Sequence, residues 1–127
     1  DSGGNQAGQR YVADSLNAFW KGDPLVAHIQ EYYTYSVVGD YMENNGIKDS
    51  CRESLHDDPI ITLNMFIDDP NSVRFNERVK AGKATINGVN VADKAKNTAL
   101  AKQIVEFRAT KTVEAINKAI AAKKTSM

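Results

Sequence analysis

Apolar positions recur along the chain with a spacing of three and four residues, and that spacing predicts helices nearly everywhere. Over residues 7–21, Val12, Leu16 and Phe19 fall on one stripe with Trp20 at its edge, and Lys21-Gly22 supplies the stop. A second helix is expected over 24–43, closed by Asn44-Asn45-Gly46. Leu25, Val26, Ile29, Tyr32, Tyr33 and Val37 cover one broad face of it, and Tyr35, Val38 and Met42 add apolar character on another. A helix apolar around so much of its circumference belongs at the centre of its domain.

A short helix is expected over 48–56, carrying Cys51 and Leu55. The run Pro59 to Ile67 reads as a short buried helix, although its β-branched content also suits a strand. Residues 71–80 give an amphipathic turn or two with Val73, Phe75 and Val79. At 84–91, Asn87-Gly88 between β-branched residues predicts a tight turn with a small hairpin. From Ala92 the chain reads as helix almost to its end.

Punctuation supports these boundaries. Asp-Pro occurs three times, at residues 23–24, 58–59 and 69–70, and accounts for all three prolines. Asp caps a helix by accepting from early backbone N–H groups, and Pro fits the first turn, where its missing N–H had no partner. The expected fold is therefore all-α: residues 1–6 a flexible segment, and 7–124 a single-domain bundle of about five helices with a long C-terminal helix and a short hairpin near 84–91.

The last helix carries an internal contradiction. Leu100, Ile104 and Phe107 project one way, whereas Val113, Ile116 and Ile120 project nearly opposite. Two outcomes follow: a break around residues 109–112, which the threonines favour, or final turns that turn an apolar face toward an oligomer or partner.

Composition narrows the function classes. The chain is 127 residues long with a hydrophobic fraction of 42%, enough for one self-sufficient core. Sixteen basic residues balance sixteen acidic ones, which argues against a dedicated nucleic-acid binder. One cysteine, Cys51, rules out an internal disulfide. No apolar run reaches the roughly 20 residues that span a bilayer. The non-Met start at Asp1 and the polar segment behind it carry the expectation of export, to the periplasm or outside the cell.

Chemistry is sparse. His28 with Glu31 makes an i, i+3 pair, short of the three ligands a catalytic zinc needs. The acidic groups at 57–58 and 68–69 would sit roughly 15 Å apart across a helix, too far for one metal ion, and capping accounts for Asp58 and Asp69. No phosphate loop, nucleophile elbow or dinucleotide fingerprint is present. No metal and no cofactor is expected.

The tyrosines of the second helix are the better signal. Tyr33, Ser36 and Asp40 share one face there, and with Trp20 they outline a ligand or partner surface, beside the second candidate surface at Val113, Ile116 and Ile120. The expected function is non-enzymatic binding of another protein, as in an inhibitor, an immunity protein or an envelope-assembly component, or else self-association. The alternative is a carrier of a small hydrophobic or aromatic ligand between helices 1 and 2, and the third is a small enzyme using His28 or Asp40.

Overall fold

A computed structural model describes residues 5–51 and 58–125 of the chain. Among them are five α-helices: α1 (Gln6–Phe19), α2 (Tyr35–Asn44), α3 (Pro59–Asp68), α4 (Phe75–Lys80) and α5 (Lys94–Thr125). A two-stranded antiparallel hairpin, β1 (Thr85–Ile86) and β2 (Val89–Asn90), precedes α5. The fold is all-α with a long C-terminal helix and a small hairpin. No helix among the described residues is long and apolar enough to cross a membrane. The chain divides into two compact units, Tyr35–Arg108 and the paired segments Asp1–Thr34 and Ala109–Met127, with α5 running through both.

The larger unit holds the core. Asp58 starts α3 by accepting from the Ile61 N–H at 2.8 Å, with Pro59 in the first turn. Ile60, Leu63 and Phe66 recur every third residue and are buried. Each such side chain contributes roughly 1.5–3 kcal/mol by leaving water. Asp69 stops the helix in extended conformation, and its carboxylate caps the 3-10 turn Pro70–Val73 at Asn71 N–H, 2.8 Å away. Two of the three Asp-Pro pairs thus act as helix starts.

Around α3, α2 supplies Val38 and Met42, α5 supplies Leu100, Ala101 and Ile104, and the hairpin region supplies Ala84, Val89 and Val91. Phe66 meets Phe75 edge-on at 5.5 Å, and Tyr41 stacks on Phe107 at 4.3 Å. The hairpin turn places Asn87 and Gly88 at φ 48° and 84°. Such a pair of positive angles follows the right-handed twist of the strands.

Three expectations need correction. No helix covers 24–34: the Asp23–Pro24 peptide is cis, the chain then runs irregularly to a 3-10 turn at Gln30–Tyr32, and α2 begins only at Tyr35. The physical reason lies in Val26, whose N–H and carbonyl oxygen are both bonded to the side-chain amide of Asn17. A backbone so engaged makes no helical bonds there.

Secondly, residues 48–51 are not helical. The Cys51 N–H bonds to the Asp49 carboxylate at 3.0 Å and the Ser50 N–H to the Asn87 carbonyl at 2.9 Å. The remainder of the expected 48–56 helix, including His56, lies outside the described residues, as does Asp57.

Finally, α5 does not break near Ala109; it is helical throughout Lys94–Thr125. Ala, Lys and Glu favour that state, and Lys111 and Glu114 pair across it at 2.9 Å. The apolar face rotates without a break. Before Ala109, Leu100 and Ile104 enter the core of the larger unit; beyond it, the helix belongs to the smaller one.

Candidate functional site

The smaller unit carries the most exposed of the large apolar side chains, Phe19 and Tyr11. Its first helix forms as expected, yet Ala13 is the residue that α1 buries. One turn further along the same side, Asn17 holds the segment 25–28 against the helix through Val26. That strap covers the Ala13–Asn17 side. The apolar stripe of the sequence consequently points away: Val12 is 53% exposed, Phe19 79%, and Tyr11 joins them at 73%. Leu16 is half-buried. The spacing reveals the stripe but not which side of the helix the chain will cover, and Tyr11 carries no signal of its own.

On α5, Val113, Ile116 and Ile120 are 54%, 40% and 43% exposed. The half-buried Ala115 and Ala119 lie on another side of the helix. Lys123, a turn beyond Ile120, bonds to the Asp23 carboxylate at 3.0 Å and ties the end of the helix to the loop after α1.

Two concavities flank the strap. One, of about 530 Å³, is open and mostly apolar, lined by Gly8, Val12, Ala13, Val26 and Ala27. The other, of about 360 Å³, is polar, with Arg10, Asp14, His28, Gln30 and Glu31 around it. His28 borders both, and its ring stacks on Tyr33 at 5.8 Å, with Tyr32 edge-on to Tyr33 at 5.0 Å. Among the described residues no hydrogen bond joins His28 to Asp14 or Glu31. No group of three or more His, Cys, Asp or Glu side chains among the described residues is arranged to hold a metal ion.

The other expected site residues are dispersed. Trp20 ends α1, donating its N–H to the Leu16 carbonyl at 2.8 Å, and its ring is exposed. Tyr33 precedes α2 rather than belonging to it, so it shares no helix face with Ser36 and Asp40. Those two lie one turn apart on α2, both exposed. Trp20 and Tyr33 line neither concavity. Cys51 is exposed beside Asp49. Asp58 and Asp69 are caps.

Comparison with protein-family models, with curated proteins and with solved structures finds no match for this chain.

Proposed function

We propose that the chain acts by binding another protein, in the manner of an inhibitor, immunity protein or assembly component, rather than by catalysis. The supporting observation is the outward face of α1. Tyr11, Val12 and Phe19 present two aromatic rings and a branched aliphatic side chain to solvent on one short helix. Scattered single apolar residues are ordinary on a surface, but Val12 and Phe19, seven residues apart, share one helix face with Tyr11 about a quarter-turn round from it, and an exposed apolar cluster of this kind marks contact sites. Buried aromatic anchors of this kind carry most of the binding energy in protein complexes.

The test compares the wild-type chain with Phe19→Glu and Tyr11→Glu as baits in an extract, read by quantitative mass spectrometry and then by titration of the purified partner. The expected result is a partner whose affinity falls roughly 30-fold or more with either variant, as hot-spot losses of about 2 kcal/mol imply. Thermal unfolding should stay unchanged, because both side chains are exposed. Identical capture by all three baits would overturn the reading.

A carrier role keeps one supporting observation, the open apolar concavity at Gly8, Val12, Ala13, Val26 and Ala27. Its openness to solvent favours it less, since small-ligand sites bury most of their ligand. Saturable binding of a small aromatic probe, lost in Ala13→Trp, would support it.

A further inference from the structure

We propose that Ala109, Val113, Ile116 and Ile120 form the seam of a homodimer in which the last four turns of α5 pack antiparallel against the same turns of a second copy. This inference uses a different face from α1 and stands independently of the role given to that helix.

Three observations carry it. The first is spacing: the four residues follow one another at intervals of four, three and four, the repeat that keeps a seam on one side of a helix over two heptads. All four are exposed.

The second is charge. At about 100° per residue, Lys111, Glu114 and Lys118 fall on the side away from the seam; Lys111 and Glu114 pair with each other there. Between Ala109 and Ile120 the flanks of the seam are Thr110, Thr112, Asn117 and Ala119, all uncharged, and the charged residues that continue its spacing, Glu106 and Lys123, stand at its two ends. With sixteen charges of each sign on the chain, no net repulsion opposes a second copy.

The third is self-complementarity, and it selects the direction. In the antiparallel register Val113 faces Ile116 of the other copy, and Ala109 faces Ile120, a small residue against a large one at each end. The two Lys123 ammonium groups then lie about 25 Å apart along the seam, at 1.5 Å of rise per residue. That is beyond two Debye lengths in ordinary buffer. Parallel pairing would bring each Lys123 beside its copy. A seam of four residues falls below the roughly 800 Å² per partner of a standard interface, so the dimer is weak and reversible.

The experiment uses the full chain. Sedimentation velocity from micromolar to millimolar concentration should show the mass rising from one chain toward two. Ile116→Glu should weaken that association roughly tenfold or more while circular dichroism keeps its helical signal. Direction is read with cysteines introduced in a Cys51→Ser background under mild oxidation. Ala109→Cys mixed with Ile120→Cys should cross-link, and Ile120→Cys alone should not.

A mass of one chain at every concentration overturns the dimer. Cross-linking of Ile120→Cys alone overturns the antiparallel direction, as does a mixed pair that stays unlinked while the mass doubles. A different protein that occupies this face while the chain itself stays monomeric also overturns the proposal.

Discussion

Asn17 and Val26 are joined by two hydrogen bonds: the Val26 N–H donates to Asn17 Oδ1 at 2.8 Å, and Asn17 Nδ2 donates back to the Val26 carbonyl oxygen. A side chain here does what a neighbouring strand would do, satisfying both polar groups of one residue in a segment without regular structure. Asn17→Ala leaves both groups without that partner. The expected loss is about 1–3 kcal/mol, read by chemical denaturation. Asn17→Asp keeps the acceptor but sets a carboxylate against the Val26 carbonyl, so it should not rescue. Equal stability of all three chains would show that the strap is held by other means.

Asp58 gives a pH prediction. It is 2% exposed, and burial raises its carboxyl above the ordinary range, opposed by the N–H groups of Ile61 and Ile60. A carboxyl that holds its proton more tightly when folded favours folding fully below its unfolded pKa. That contribution is lost as pH rises through the folded value. Asn also caps well but does not titrate. Relative to Asp58→Asn, the wild type should therefore gain stability as pH falls from neutrality toward the usual carboxylate range. Paired melting curves across that window check it, and parallel profiles would contradict it. Asp58→Ala removes the cap without titrating, so it should lie about 1 kcal/mol below Asp58→Asn at every pH.

Gly88 tests the hairpin. A Cβ there would meet Lys48 O and Ser50 Oγ at 3.8 Å, ordinary contacts, so space is not the obstacle. Its φ of 84° is the obstacle. Gly88→Ala should cost roughly 1–2 kcal/mol by thermal or denaturant unfolding, and Gly88→Asn less, because Asn tolerates left-handed angles.

Thr110 tests the continuity of α5. In an unbroken, exposed helical position, Thr110→Ala should raise stability by roughly 0.5 kcal/mol and increase the far-ultraviolet helical signal. If residues 109–112 were a break, Ala would gain nothing there.

Legibility in the sequence followed the range of the interaction. Asp58-Pro59, Asp69-Pro70 and Asn87-Gly88 act on their immediate neighbours, and each element they announce is present. Asp23-Pro24 has the same local chemistry and starts no helix, because Asn17, nine residues away from Val26, claims the backbone that follows. The rotation between Leu100, Ile104, Phe107 and Val113, Ile116, Ile120 was visible in their spacing. That it would be absorbed by an unbroken helix was not, since the threonines at 110 and 112 pull local preference the other way. On α1 periodicity located an apolar stripe, but the covered side is that of Ala13 and Asn17, a small residue and a polar one.

That sparse burial has a kinetic consequence. Beyond its own helical bonds, α1 is held by the buried Ala13, the half-buried Leu16 and the Asn17 clamp, whereas α3 buries five of its ten residues. Local opening takes place where few apolar contacts must be given up. Under brief protease treatment the first cuts should therefore fall in α1 or the irregular segment that follows it, after Tyr11, Phe19 or Tyr32 for an enzyme that prefers aromatic residues. The Pro59–Asp68 helix should remain intact until the whole larger unit unfolds.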